Sequence, residues 1–233
     1  MFGLIPLQSN KWIAALGLGA GLALAPMGAG AVTITAADLP SGTNFVDLGF
    51  ATVTSAPGDF THKVIAGYDV AGVLGGWESG EIDLDDESIT ITYDEAQTIN
   101  SLDLGLLFAA LEEDDLYNEQ AMVIATLSDG SSVSYTLSVI DGTTASWSGP
   151  GTVTNVSPAT FGNAAVWSLS SPFGAAAVVS LELVGYGPAL PETYRNNDYG
   201  LVSVTSTPVP EPGMMSLMGL GLAGLAFAGR KRS

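Results

Sequence analysis

Short apolar runs with a two-residue period dominate the centre of this chain and constrain its fold more than any other feature. In 88–93 two isoleucines alternate with two threonines, and 101–108 repeats the pattern with leucines. Successive side chains of a β-strand point to opposite faces, so such alternation is typical of strands with one buried face. No stretch shows the 3.6-residue period of a useful amphipathic helix. The chain is therefore predicted to be all-β.

Turn residues separate the apolar runs, and one hairpin is especially clear. Residues 128–131 read Ser-Asp-Gly-Ser between predicted strands at 122–127 and 132–140. Further strands are predicted at 45–54, 61–70, 164–169, 177–184 and 201–206. Many short strands joined by turns predict an antiparallel β-sandwich, with a jelly roll as the preferred topology and an up-and-down barrel as the alternative.

The predicted sandwich is strongly acidic. Residues 32–209 hold 23 acidic and two basic residues, a formal charge of −21. Such a domain repels nucleic acid and anionic lipid, so we expect no nucleic-acid partner. Cations, neutral glycans and proteins with basic faces remain as partners. The chain has no cysteine, which excludes thiol catalysis and thiolate metal sites.

The N-terminal segment 1–31 is predicted to be a secretory signal peptide. Lys11 precedes an apolar stretch at 12–25 that is shorter than the ~20 residues a membrane-spanning helix needs. The small residues Ala29 and Ala31 flank Gly30 in the form of a cleavage site, so we predict cleavage after Ala31. An uncleaved N-terminal anchor is the alternative.

The C-terminal segment combines an apolar run with a basic tail. Residues 213–229 carry no charge and would reach ~25 Å as a helix, the short limit for crossing a bilayer core. Arg230, Lys231 and Arg232 follow directly. Positive charge beside a span favours the cytoplasmic side, so the acidic domain would lie outside. We therefore predict a transmembrane helix that ends in a basic stop-transfer tail.

A proline-flanked glutamate precedes the apolar run: the chain reads Val209-Pro210-Glu211-Pro212. The two prolines hold this segment extended, the form that a protease cleft accepts. The order of this motif, the apolar run and the basic tail resembles the PEP-CTERM family of sorting signals. The resemblance implies processing by exosortase in a Gram-negative bacterium that makes exopolysaccharide, followed by release or transfer to the cell surface. A plain single-pass anchor is the alternative.

The resemblance suggests three parts: a signal peptide at 1–31, a β-sandwich at 32–207 and a sorting signal at 208–233. Exosortase would be the processing partner, and the C-terminal helix would anchor the chain in the membrane before processing. The location implied is the cell surface or the extracellular matrix of a biofilm.

Acidic loop residues are candidates for calcium ligands, because Ca²⁺ takes six to eight oxygen ligands. One cluster, 81–87, leads into the strand at 88, and a second, 112–119, lies between predicted strands. An Asn-Asp pair stands before the last predicted strand. The predicted ligands are Asp83, Asp85, Asp86, Asn197 and Asp198. The spacing is not that of an EF-hand, and a solvated acidic face or a plain turn is the alternative.

Aromatic residues beside turns are candidates for stacking on sugar rings. Trp77 and Trp147 are the predicted glycan contacts, and Tyr186, Tyr194 and Tyr199 stand in similar surroundings. Packing in the core is the alternative for each of them, and for Trp167 in its predicted strand it is the preferred interpretation.

Catalysis has little support in the sequence. His62 is the only histidine, and no serine has the surroundings of a nucleophile elbow. We expect a noncatalytic surface or matrix protein with a structural or adhesive role. The main alternative is a calcium-dependent carbohydrate-binding module that engages exopolysaccharide, and a polysaccharide-degrading enzyme is the third hypothesis.

Overall fold

A computed structural model describes residues 30–75, 79–84, 86–110, 117–157, 166–186, 198–210 and 219–222 of the 233-residue chain. The described residues form thirteen strands, one 3-10 turn at Ala36–Asp38 and a helical turn at 219–222. The strands are β1 (Val32–Thr35), β2 (Phe45–Asp47), β3 (Ala51–Ala56), β4 (Phe60–Ile65), β5 (Tyr68–Val73), β6 (Ser88–Gly105), β7 (Gln120–Leu127), β8 (Ser132–Asp141), β9 (Thr144–Trp147), β10 (Thr152–Asn155), β11 (Trp167–Ser170), β12 (Val178–Gly185) and β13 (Gly200–Pro208).

The long strand β6 organises the sheet, because its two halves pair with different neighbours. Its first half lies between β3 and β12, and its second half lies between β11 and β13. Strands β7, β8 and β9 continue outward from β12, while β2 flanks β3 and β10 flanks β11. Strand β13 pairs on its other edge with β1 and β5, and β4 follows β5. All of these pairings are antiparallel, so the all-β prediction is confirmed, while the jelly-roll topology stays a prediction.

Irregular pairing lets both halves of β6 face one core. Thr92 pairs with Ser180 but Gln97 pairs with Val178, so the intervening residues 93–96 form an irregularity in the ladder. A second register shift, in the pairing with β13, follows Ile99. Strict alternation would bury residue 101 after Ile99, but the next buried side chain is Leu102. Bulges of this kind bend a strand and change which side chains point inward. The sheet thus takes a sandwich-like form.

The hydrophobic core lies between the two halves of the sheet. Buried side chains from the first half, such as Ile91 and Leu181, join those from the second half, such as Leu104 and Leu169, in one cluster. Full burial of each such side chain contributes roughly 1.5–3 kcal/mol, so this core is the main source of stability. Trp167 is also buried there, and its Nε1 donates to the carbonyl of Leu107 at 3.2 Å.

Two predicted strands prove to be hairpins. The ranges 45–54 and 61–70 each contain a tight turn, which separates β2 from β3 and β4 from β5. Gly49 has a φ of +78°, while Ala66 and Gly67 have φ of +49° and +86°. Positive φ at two successive residues is typical of the type I′ turn, and alanine rarely adopts it. These turns lacked the dipeptides that reveal a turn in a sequence, so the pattern alone missed them.

The hairpin predicted at 128–131 is confirmed between β7 and β8. Gly130 has a φ of +85°, and the backbone N–H of Leu127 donates to the carbonyl of Ser131 at 2.8 Å. Asp129 Oδ1 accepts hydrogen bonds from the backbone N–H and the hydroxyl of Ser131 at 2.9 and 2.6 Å. An aspartate that bonds the backbone two residues ahead stabilises such turns.

The other predicted strands fall within the observed elements as far as they are described. Ranges 88–93 and 101–108 lie largely at the two ends of β6, and 177–184 and 201–206 correspond to β12 and β13. Residues 164 and 165 of the range 164–169 lie outside the described residues, and β11 begins at Trp167. Strands β1, β9 and β10 were not predicted.

Candidate functional site

The segment between β5 and β6 lies directly against the sheet because two glycines leave space for it. A Cβ atom on Gly72 would lie 2.2 Å from the backbone nitrogen of Glu81. A Cβ atom on Gly185 would lie 2.3 Å from the carbonyl oxygen of Asp83. Side chains at these positions would collide with the backbone, so glycine is required for this close approach. This close approach places Glu81 against β5 and Asp83 against β12.

Ile82 anchors the same segment between these two acids. Its side chain is fully buried in the core, and its backbone N–H donates to the carbonyl of Tyr199 at 2.6 Å. Tyr199 immediately precedes β13, so this bond joins the segment before β6 to the start of the last strand. Asp198 is thereby brought to the same place as Glu81 and Asp83.

Tyr199 holds the start of β13 in position. Its ring is fully buried, and its hydroxyl lies 2.9 Å from the carbonyl of Met122 and 3.0 Å from that of Val184. The single hydroxyl proton is shared between two acceptors on neighbouring strands. Burial raises the pKa of Tyr199 well above its ordinary value. The neutral tyrosine therefore ties β13 to β7 and β12, beside Asp198.

Glu81, Asp83 and Asp198 form a buried carboxylate cluster. Each offers a carboxylate oxygen, and these oxygens lie within 4.8 Å of one another. The residues are 4 %, 2 % and 7 % exposed. Lys63 on β4 reaches the edge of the cluster, where its Nζ donates to Glu81 Oε1 at 2.6 Å. The cluster joins three segments that are distant in the sequence.

The charges of the cluster suit a divalent cation. Among the described residues, three carboxylates and one ammonium meet here, and carboxylate oxygens are the ligands that Ca²⁺ prefers. Charges removed from water are costly unless they are compensated, and like charges at this distance raise the cost. Calcium lies roughly 2.4 Å from its oxygen ligands, so two ligands of one ion lie at most about 4.8 Å apart. The carboxylate cluster therefore meets the spacing requirement of a Ca²⁺ site.

An open acidic groove adjoins the carboxylate cluster. The groove has a volume of about 250 Å³ and is lined by Asp83, Leu84, Asp86, Glu87, Ser88, Glu182, Val184 and Gly185. Glu87 is buried, and its Oε2 accepts a hydrogen bond from the backbone N–H of Asp83 at 3.0 Å. Asp83 belongs to both features, so a negatively charged surface leads from solvent to the cluster.

The structure joins two sets of predicted calcium ligands that the sequence kept apart. Asp83 and Asp198 belong to the carboxylate cluster, whereas Asp86 is exposed and lines the groove. Asp85 and Asn197 lie outside the described residues. Glu81 was not among the predicted ligands. Its spacing of two from Asp83, with an apolar residue between them, was the signal that could have identified it.

The described aromatic candidates for glycan contact differ in exposure: Tyr186 is exposed, Trp147 is half-buried and Tyr199 is buried. Trp147 is half-buried, its ring lies 5.7 Å from that of Tyr135 and 6.4 Å from that of Phe173, and its Nε1 donates to a backbone carbonyl. Tyr199 is fully buried, which agrees with the alternative of packing in the core. Trp77 lies outside the described residues, as does Tyr194. Glycan contact by Trp147 stays a prediction.

His62 makes hydrogen bonds with both ring nitrogens. Nδ1 lies 2.9 Å from Asp69 Oδ1, and Nε2 lies 2.6 Å from the carbonyl oxygen of Leu39. These contacts connect β4 to β5 and to the 3-10 turn. The histidine therefore has a structural role in this part of the sheet.

The second acidic cluster has a buried member. Glu119 is 1 % exposed, and its Oε2 accepts a hydrogen bond from the backbone N–H of Phe108. Residues 111–116 lie outside the described residues. Glu119 lies at the base of the connection between β6 and β7, so the alternative of a solvated acidic face does not hold for this residue.

The last strand leads directly into the proline-flanked segment. β13 ends at Pro208, and the backbone N–H of Val209 donates to the carbonyl of Ala96 at 2.8 Å. Pro210 is exposed. The chain thus leaves the sheet immediately before Glu211, which lies outside the described residues together with Pro212 and the basic tail.

Comparison with known families identifies this last segment. Residues 208–232 match the family described as the PEP-CTERM protein-sorting motif. The chain carries a PEP-CTERM sorting motif. The motif marks an exported protein that is targeted to exosortase and sorted to the cell envelope or surface. No curated protein matches the chain. The PEP-CTERM motif covers the sorting segment and carries no information on the β-rich domain.

Only part of the PEP-CTERM motif is described by the structure. Residues 219–222 form a helical turn in which Leu220 and Leu222 are exposed. Within the described ranges, no helix is long and apolar enough to span a membrane. Most of the predicted span at 213–229 lies outside those ranges, as does most of the predicted signal peptide.

Proposed function

We propose that this chain is an exported, exosortase-processed cell-surface or extracellular-matrix protein with a noncatalytic structural or adhesive role. The PEP-CTERM motif carries this proposal, because it places an acidic, β-rich domain on a route to the cell surface. A closely packed domain of antiparallel strands suits a protein that acts through its surface. An N-terminal signal peptide cleaved after Ala31 would begin the export.

The surroundings of His62 support a noncatalytic role. It is the only histidine of the chain, and both of its ring nitrogens are engaged within the protein. A general base must reach the proton that it removes from a substrate or nucleophile. His62 would have to break its contacts with Asp69 or Leu39 to do so.

The intact mass of the protein recovered from its native host tests the proposal. Cell-surface and medium fractions are compared with the inner membrane. We expect a surface species that begins near Val32 and ends within residues 210–213. A chain that retains Ser233 and stays in the inner membrane would contradict processing and leave a membrane-anchored domain.

We propose in addition that the carboxylate cluster binds a structural Ca²⁺. The observation that favours this role is the burial of Glu81, Asp83 and Asp198 around one point. A calcium ion would be bound by the carboxylates of Glu81, Asp83 and Asp198. It would also join the segment before β6 to the start of β13. Because the carboxylates are almost inaccessible, this arrangement favours a structural ion over one that coordinates a sugar.

Thermal unfolding with and without calcium tests the metal proposal. Protein treated with a chelator is melted in metal-free buffer and again after addition of Ca²⁺. We expect calcium to raise the Tm of the wild type, and Asp83→Asn to lose most of that increase. Asp94→Asn changes an exposed acid of β6 and is the matched control, which should respond like the wild type. An equal response of both variants, or no response of the wild type, would exclude the site.

A further inference from the structure

The sorting motif begins where the last strand is still part of the sheet. Pro208 pairs with Gln97 of β6, and the backbone N–H of Val209 donates to the carbonyl of Ala96 at 2.8 Å. The PEP-CTERM match begins at Pro208, so the sheet and the motif overlap. Pro210, the next residue after Val209, is exposed. The domain and the motif are therefore joined without a linker.

Very little chain separates Val209 from the apolar run. Residue 213, four positions further on, opens the uncharged run that is predicted to enter the membrane. An extended chain advances at most about 3.6 Å per residue, so this stretch reaches no more than about 14 Å. The polar layer on each side of a bilayer takes roughly 5–7 Å of that distance. In a membrane-anchored precursor the folded domain would therefore lie directly beside the membrane surface.

An enzyme that cleaves this stretch needs access to its backbone. Extended peptides are recognised through their main-chain groups, with alternate side chains held in pockets. In Thr207–Val209, called the exit segment below, the main chain is paired with β6. Asn100 of β6 adds a side-chain bond, since its Nδ2 donates to Thr207 Oγ1 at 2.7 Å. The sheet and a protease would therefore compete for the same residues.

The exit segment is held less firmly than the rest of β13. Ser206 pairs with β6 on one edge and with Val32 of β1 on the other, and it is 2 % exposed. Among the described residues, the pairing of β1 with β13 extends no further than Ser206. The exit segment is half-buried, and Pro208 has no N–H to donate to β6. Strand ends with few buried contacts open at a small cost in free energy, so detachment would stop at Ser206.

We propose that exosortase binds the chain from Thr207 onward, after the exit segment has separated from β6. Separation adds roughly 10 Å of extended chain to the reach of about 14 Å. An enzyme at the membrane surface then binds residues on both sides of the Pro-Glu-Pro step without collision with the domain. The domain keeps its core, because Ser206 stays paired on both edges. This inference rests on the proposed exosortase processing and identifies the segment that the enzyme takes from the sheet.

A disulfide across the exit segment tests the inference, and the chain has no native cysteine to interfere. Thr98 and Thr207 are direct partners, and each is a half-buried residue that follows a buried one. Both side chains therefore point to the outer face of the sheet. The double variant Thr98→Cys and Thr207→Cys, called the locked variant below, should form its disulfide after export.

Tail removal is followed in the native host by intact mass after a pulse of synthesis. We expect loss of the tail to be at least about tenfold slower in the locked variant than in the wild type, because the covalent bond prevents separation. A reductant should restore the rate. Equal processing of the locked variant and the wild type would overturn the inference, since exosortase would then accept the motif with β13 fully paired.

A second disulfide is the matched control. Thr33 of β1 and Thr205 of β13 are also direct partners, and their hydroxyls lie 3.0 Å apart. The double variant Thr33→Cys and Thr205→Cys ties β1 to β13 but leaves the exit segment free to separate from β6. We expect this control to lose its tail at the wild-type rate. Equal slowing in both disulfide variants would overturn the inference.

A flexible insertion distinguishes loss of access from misfolding. The sequence Gly-Ser-Gly-Ser-Gly-Ser is placed between Thr207 and Pro208 of the locked variant, which leaves the PEP-CTERM match intact. It supplies about 20 Å of extended chain beyond the disulfide. We expect tail removal to recover while the disulfide stays oxidised. A locked variant that retains its tail despite the insertion would show that access is not the limit and would overturn the inference.

The same mass spectra distinguish this inference from the proposed function. A wild type that retains Ser233 contradicts exosortase processing itself. A processed wild type together with an equally processed locked variant contradicts only the separation of the exit segment.

Discussion

Two groups of acidic residues in this protein depend on very different parts of the chain. Asp129, in the exposed turn between β7 and β8, receives its hydrogen bonds from Ser131, two residues ahead. Those bonds lower the pKa of Asp129 below its ordinary value. Asp83, by contrast, meets Asp198 and Lys63 only because the sheet brings distant segments together. A local site survives small changes elsewhere, whereas the carboxylate cluster depends on the whole fold.

Loss of the positive charge of Lys63, at the edge of the carboxylate cluster, should have the largest effect. In Lys63→Met, three buried carboxylates would keep no neighbouring positive charge from β4, and we expect the free energy of unfolding to fall by about 3 kcal/mol in metal-free buffer. Lys63→Arg preserves the charge and should lose much less. Urea unfolding followed by circular dichroism measures both. Equal stability of the Met variant and the wild type would show that the ammonium does not compensate the cluster.

The second largest effect should come from alkaline pH, which destabilises the fold through the buried Tyr93 of β6. Burial raises the pKa of Tyr93 to about 12. Above pH 10 the unfolded chain therefore loses this proton while the folded chain keeps it, so folding is favoured below pH 10 and loses about 1.4 kcal/mol per pH unit up to about pH 12. In Tyr93→Phe this part of the pH dependence should disappear. Urea unfolding at pH 9, 10 and 11 provides the comparison, and identical slopes in both proteins would refute it.

Loss of the Tyr199 hydroxyl should have an intermediate effect. Tyr199→Phe would leave the carbonyls of Met122 and Val184 without this donor, and we expect a loss of about 1–2 kcal/mol. It should also weaken the stabilisation by calcium, because Asp198 precedes this residue. Tyr135→Phe is the control, since its ring packs against Trp147 and Phe173. Equal losses in the two variants would argue against an anchoring role for the hydroxyl.

The exposed turn should give the smallest effect. Asp129→Ala removes the hydrogen bonds to Ser131, but the turn retains Gly130, so we expect the Tm to fall by less than about 3 °C. Because the folded state lowers the pKa of Asp129, its contribution is present above the unfolded pKa and is lost as pH falls through the folded pKa, below about pH 4. The difference in Tm between variant and wild type should therefore shrink in acid. A larger difference at low pH would reverse the assigned sign.

Prediction from the sequence succeeded where neighbours in the chain determine the structure. The alternation around Ile89 and Ile91 predicted a half-buried strand, and Asp129-Gly130 predicted the turn that the structure contains. It failed where a turn lacks a characteristic dipeptide, as at Ala66 and Gly67, whose positive φ angles are stabilised by the pairing of β4 with β5.

The candidate site was predicted only in pieces. Asp83 and Asp198 were separate candidates, and nothing in their local sequences shows that Ile82 bonds to the carbonyl of Tyr199. Glu81 was passed over as a ligand, because an acid in a loop is usually solvated and only its burial indicates otherwise.

The sequence by itself determined the all-β class, the acidic character and the PEP-CTERM motif, because alternation, charge and a short linear signal are properties of neighbouring residues. The tertiary structure decided the rest. It brought three carboxylates and Lys63 together, buried Tyr199 between two strands and paired the last residues of β13 with β6. Such features depend on strand pairing between residues far apart in the chain, which is set by the burial of the whole core rather than by any local preference.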